Sequence, residues 1–148
     1  MDKAFEKEFN ELIVETFHLV LKEEMKFIKS LTNSDLSSRE VHVIEYVGKN
    51  NGKVTITDIA EAMQITLASI TVMVNKLEEK GLLVKKKDEK DGRSVLISIT
   101  AEGKKIDKCH SEFHSKTVKK IAGGLTDFEK EVLAGGVKKL NGFFKIEN

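Results

Sequence analysis

A mostly α-helical chain carrying one small β wing is what this sequence predicts, on three observations. Proline, the strongest helix breaker, is absent from all 148 residues. Apolar residues recur at intervals of three and four through most of the chain, which is the repeat of one helix face. Only over residues 82–99 does that repeat give way to the β-branched alternation of strands. The resulting order is a long helix, three shorter helices, a hairpin and two long helices. That is the order of a winged helix-turn-helix with long N- and C-terminal helices.

Each element has its own signal. Over residues 3–30, Phe5, Phe9, Leu12, Ile13, Phe17, Val20, Leu21, Met25 and Ile28 form one apolar stripe. Such a helix is about 42 Å long, more than one small core covers, so a second subunit is expected on it. Residues 33–37 are rich in capping side chains, and Ser37 with Glu40 makes a capping box ahead of Val41, Val43, Ile44 and Val47. Asn50-Asn51-Gly52 ends that second helix. Residues 55–58 open a short helix with Ile59, Ala60 and Met63 inward. After a turn at 64–66 the next helix runs over 67–80, with Ile70, Val74 and Leu77 inward and Gly81 as its stop. Residues 82–84 and 94–99 read as strands, joined by a charged loop over 85–93 that contains the turn-forming Asp91-Gly92. Residues 100–103 cap a helix reaching Ile121, and Gly123-Gly124 ends it. A second capping box, Thr126 with Glu129, opens the last helix, which continues through Val132, Leu133, Val137, Leu140 and Phe144. Residues 35–100 are thus expected to be the winged region, with 1–34 and 101–148 a helical dimerisation region.

Composition removes several classes. The 25 Lys+Arg against 24 Asp+Glu leave a net charge of +1, so any field that attracts nucleic acid is local. The single cysteine, Cys109, excludes a disulfide framework and every multi-cysteine zinc site. No targeting signal and no apolar run of the ~20 residues that span a bilayer is visible, so a soluble, cytoplasmic protein with no membrane role is expected. No acid, base and nucleophile converge, so an enzyme is not expected.

The second helix of a helix-turn-helix must offer polar side chains to base edges, because bulky apolar ones desolvate the groove without reading it. Thr66, Ser69, Thr71, Val72, Asn75 and Lys76 lie opposite the inward Ile70, Val74 and Leu77. A wing must be cationic to sit on phosphates or enter a minor groove, and Arg93 with the run Lys85, Lys86 and Lys87 supplies that. Acids Asp88, Glu89 and Asp91 keep the local excess modest. Either feature alone is ordinary solvated surface. Together, at this spacing, they point to double-stranded DNA. A module that binds only protein requires neither.

Asp91-Gly92-Arg93, five residues, then Ile99-Thr100-Ala101-Glu102-Gly103 resembles the D-x-R-x5-[LI]-T-x-x-G wing signature of the MarR family of transcriptional regulators, and residues 74–82 are similar to the end of that family's recognition helix. The resemblance covers about residues 35–145. It implies a homodimer built by the first and last helices on a palindromic operator, with Arg93 in the minor groove and Asp91 helping to hold it. Within the family, residues 42–49, Thr66-Leu67 with Thr71, and His110-Ser111-Glu112-Phe113-His114 resemble the FabT-type repressors of fatty-acid synthesis. Ala68 stands where that group has glycine, and Gly92 where it often has arginine. That likeness implies control of fatty-acid synthesis genes with acyl-acyl carrier protein as co-repressor. The carrier is acidic, and Lys104, Lys105, Lys108, Lys116, Lys119 and Lys120 offer cations to it.

His110 and His114 stand four apart, a spacing that suits two metal-binding imidazoles. The H-S-E-F-H order is not the H-E-x-x-H of a metalloprotease. Glu24 and His42 are similar in placement to ligands of zinc-sensing MarR proteins, so Glu24, His42, His110 and His114 form an alternative zinc site of a regulator of metal uptake. The reading set ahead of it is a polar pocket in which His42, His110 and His114 bond to one another or to carboxylates at a helix junction, with no cofactor. A regulator released by small phenolic ligands is a further alternative. Cys109 reads as a small buried hydrophobe rather than a redox sensor.

Overall fold

The computed structural model describes residues 2–146. Its elements are α1 (Lys3–Thr32), α2 (Ser38–Lys49), α3 (Ile56–Met63), α4 (Leu67–Glu79), β1 (Leu83–Lys87), β2 (Val95–Ile99), α5 (Ala101–Gly123) and α6 (Asp127–Ile146). The residues up to Phe113 and those from His114 onward form two compact units, each described by itself. No single helix among the described residues is long and apolar enough to cross a membrane.

In the first unit the inward faces read from the sequence meet in one core. Val41, Val43, Ile44 and Val47 of α2, Ile59 of α3, and Ile70, Val74 and Leu77 of α4 are all fully buried. Ile28 of α1, Leu83 and Ile97 of the hairpin, and Ile106 of α5 complete it. Only the last third of α1 joins this core. Upstream, its apolar stripe faces solvent, with Phe5 and Phe17 about 60% exposed (59% and 62%).

The caps follow the sequence. Ser37 and Glu40 form the capping box of α2, and Thr55 with Asp58 forms another at α3. Gly81, at φ +71°, supplies the left-handed residue that stops α4. Thr100 joins the wing to α5: its hydroxyl donates to the Gly81 carbonyl at 2.7 Å and accepts from the Gly103 N–H at 3.0 Å. Gly103 is required by contact rather than by φ, because a Cβ there would lie 2.2 Å from the Leu82 carbonyl oxygen.

The hairpin departs from expectation in two ways. Strand β1 runs through Lys87, so Lys85, Lys86 and Lys87 are strand residues and the loop covers only 88–94. The register pairs Lys85 with Ile97. Directly opposed residues share a face, and Ile97 is fully buried, so Lys85 turns inward toward α4. Val54 also joins the hairpin, its carbonyl accepting from the Ile97 N–H at 2.7 Å. A one-residue bridge leaves no periodic trace in a sequence.

In the second unit Thr126 and Glu129 form the expected box: the Thr126 N–H donates to Glu129 at 2.7 Å and the Glu129 N–H to the Thr126 hydroxyl at 3.3 Å. Phe128, Val132, Val137 and Phe144 of α6 are exposed.

Candidate nucleic-acid interface

Helix α4 presents Ala68, Ser69, Val72, Asn75 and Lys76 to solvent, with Thr71 half-buried beside them. Several of the expected readers carry a structural duty as well. Thr66 is the N-cap of α4, accepting from the Ser69 N–H at 3.3 Å while the two hydroxyls bond at 2.9 Å. Thr71 donates its hydroxyl hydrogen to the Leu67 carbonyl at 2.8 Å, leaving lone pairs and a methyl group outward. Val72, 69% exposed on this helix, carries methyl groups of the kind that pack on a thymine methyl.

Lys76 and Asn75 are held rather than free, which the sequence did not show. The Lys76 ammonium lies 3.0 Å from the carboxylate of Glu40, a buried acid at the start of α2, and Lys80 lies 3.8 Å from the same oxygen. Burial by itself would raise the Glu40 carboxyl. The Ser37 N–H, Lys76, the Ser37 hydroxyl and Lys80 outweigh it and hold the group below the usual glutamate range. The Asn75 carbonyl oxygen accepts from the Lys85 ammonium of β1, which also pairs with Glu78 at 2.8 Å. The Lys85 N–H donates to the second Glu78 oxygen at 3.3 Å. Lys85 is therefore no part of a cationic wing tip.

Lys86, Lys87, Lys90 and Arg93 are exposed on the wing. Asp91 builds its turn, accepting from the Arg93 backbone N–H at 3.1 Å and from the Ser94 hydroxyl at 3.1 Å. The contact of Asp91 is with the Arg93 main chain, so Asp91 shapes the tip that carries the guanidinium.

Away from α4 and the wing, His110 of α5 is buried with its Nε2 2.7 Å from Glu24 of α1, which is also buried. Its Nδ1 lies 3.7 Å from Glu45, and the His42 ring packs edge-on at 5.5 Å. Glu45 is paired with Lys49. Burial would raise Glu45, but the Lys49 hydrogen bond with the charges of His110, Lys49 and His42 holds it below the usual range. Asp107 is pushed up by burial and by Glu45. His42, Glu45 and His110 bring ligand atoms within 4.8 Å of one another, and imidazole with carboxylate is a donor set that fits zinc. At this helix junction His110 is thus gathered with His42 and two acids, Glu24 and Glu45. His114 is exposed and belongs to the second unit. Cys109 is half-buried, and burial together with Glu112 pushes its thiol up.

The sequence and the fold both resemble those of known proteins. Residues 34–94 match the MarR family. FabT of Streptococcus pneumoniae, solved in complex with DNA, is 30% identical and superposes with a TM-score of 0.86 over 96% of this chain and 99% of its own. The HTH-type transcriptional regulator YfiV of Bacillus subtilis is 29% identical over 72% of this chain and 66% of its own length. The transcriptional repressor MdtR of the same organism is 27% identical over 57% of this chain and 54% of its own. The chain therefore spans between about half and two thirds of the length of these two curated relatives, and nearly all of FabT. With its recognition helix, its wing and a likeness to FabT that runs through both terminal helices, this chain belongs to the MarR family of transcriptional regulators, a family of regulators rather than enzymes.

Proposed function

We propose that the protein is a sequence-specific, DNA-binding repressor that acts as a homodimer on palindromic operators and controls fatty-acid synthesis genes, with acyl-acyl carrier protein as co-repressor. The observation that carries the DNA reading is the pairing of an exposed polar face on α4 with an exposed Arg93 on an Asp91-braced turn. Base contacts from Thr71, Val72 and Asn75 specify, and cations at Lys86 and Arg93 position. The dimer rests on apolar side chains left in solvent on α1 and, separately, on α6, patches that lone soluble chains seldom expose. FabT, known in complex with DNA, favours the fatty-acid branch. Exposed Lys104, Lys105 and Lys108 on α5 suit an acidic carrier.

A second reading, a zinc-responsive regulator, is favoured by the gathering of His42, Glu45 and His110. One experiment separates the two. Purified protein selects duplexes from a random pool, and the selected duplex is titrated with long-chain acyl carrier protein and, separately, with zinc, using wild type and His42→Ala. The proposal expects tighter binding with the acyl carrier protein in both proteins. Tightening by zinc alone, lost in His42→Ala, refutes the acyl branch. Failure to select any sequence refutes the DNA reading.

A further inference from the structure

We infer that Lys85 is a specificity-determining residue, because it fixes Asn75 as a hydrogen-bond donor and so sets which base Asn75 accepts. The inference rests on the DNA reading above and extends it to a residue outside the recognition helix. An ammonium group carries three hydrogens and no lone pair, so only the carbonyl oxygen of an asparagine faces it. The contact between the Lys85 ammonium and the Asn75 carbonyl oxygen therefore turns the amide NH2 outward, onto the exposed side of α4 shared with Val72.

Lys85 is itself held in place. Glu78, one turn beyond Asn75, grips both its ammonium, at 2.8 Å, and its backbone N–H, at 3.3 Å. The hairpin register places it opposite the buried Ile97, on the face turned to α4. The lysine is 30% exposed along its side chain, so the clamp is partly shielded from solvent.

The consequence is chemical. An asparagine reads adenine in two bonds, accepting from N6 and donating to N7, and needs both ends of its amide to do so. With the oxygen turned to Lys85, the outward end of Asn75 is its NH2, which offers two hydrogens and no lone pair. Guanine presents two adjacent acceptors, N7 and O6, to the major groove. Asn75 therefore favours guanine over adenine at the position it reads.

The test is selection from random duplex DNA with wild type, Asn75→Ala, Lys85→Met and Lys85→Arg. Asn75→Ala defines the position by erasing its preference. At that position Lys85→Met frees the oxygen, and the guanine-to-adenine ratio falls by about tenfold, the size of one good bidentate contact, while other positions keep their preferences. Lys85→Arg, also a donor with no acceptor, keeps guanine. A merely loosened wing weakens every position alike, and that result overturns the inference. So does an unchanged ratio in Lys85→Met, an arginine variant that behaves like the methionine one, or an Asn75→Ala that alters no position while the wild type still selects a sequence. If the wild type selects nothing, the DNA reading fails first and this inference falls with it.

Discussion

Replacing Glu40 tests how the recognition helix is anchored. Glu40 is 3% exposed and serves several partners at once: its Oε2 accepts from the Ser37 N–H at 2.7 Å, and its Oε1 meets Lys76 at 3.0 Å and Lys80 at 3.8 Å. Glu40→Ala leaves the Ser37 N–H without its charged acceptor in a half-buried setting, about 1.5–2 kcal/mol. Losing a buried methylene adds about 0.8 kcal/mol. The Lys76 side chain is 56% exposed, so its ion pair adds no more than about 0.5–1 kcal/mol, and alanine's better helix propensity returns a few tenths. The net cost is about 2–3 kcal/mol, or roughly 5–10 °C in Tm for a chain of this size. Glu40→Gln keeps an acceptor for the Ser37 N–H and loses only the charge, so it costs about 1 kcal/mol at neutral pH. The sign of the pH effect follows from the lowered carboxyl. A depressed folded-state pKa stabilises above the unfolded value of about 4.3, and the benefit disappears as pH falls through the folded value. The gap between wild type and Glu40→Gln therefore closes as pH drops from about 5 toward 3. The assay is thermal unfolding by circular dichroism at one protein concentration across that range. A glutamine variant as unstable as the alanine one, or a gap that widens in acid, refutes the reasoning.

Three other outcomes follow from the same structure. Gly103→Ala drives a methyl into the Leu82 carbonyl at 2.2 Å and costs upward of about 2 kcal/mol, read as a fall in Tm; a change under about 0.5 kcal/mol contradicts the packing of wing on α5. Cys109, half-buried with its thiol pushed up, reacts with iodoacetamide at pH 7.5 at least several-fold more slowly in the native protein than in denaturant, and equal rates contradict that. The apolar faces of α1 and α6 predict a dimer in sedimentation at micromolar concentration, and a stable folded monomer contradicts it.

The fold was legible where one signal dominated a whole segment. The inward residues of α2, α3 and α4 are legible because their period agrees with one buried face, and the caps at Ser37 and Thr126 because capping chemistry is local. The hairpin's edges were less legible: Lys85–Lys87 look like a solvated loop by composition, yet pair with residues 95–97. Nothing local announces that a lysine turns inward to a glutamate seven positions earlier. The recognition face was placed by helix periodicity, but the ties of Lys76 to Glu40 and of Asn75 to Lys85 depend on how helices and hairpin meet. The same holds for Glu24 and His110, which lie far apart in sequence and 2.7 Å apart in space.

The central claim, that α4 and the wing read DNA, is tested most directly by the salt dependence of binding to a selected duplex for wild type and Arg93→Ala. Wild-type affinity is expected to fall linearly in a log–log plot against salt. Arg93→Ala is expected to bind more weakly, with a slope shallower by about 0.9, the counterions released by one phosphate-neutralising cation. An Arg93→Ala protein with wild-type affinity and slope, or a wild type that binds no duplex above background, contradicts the account.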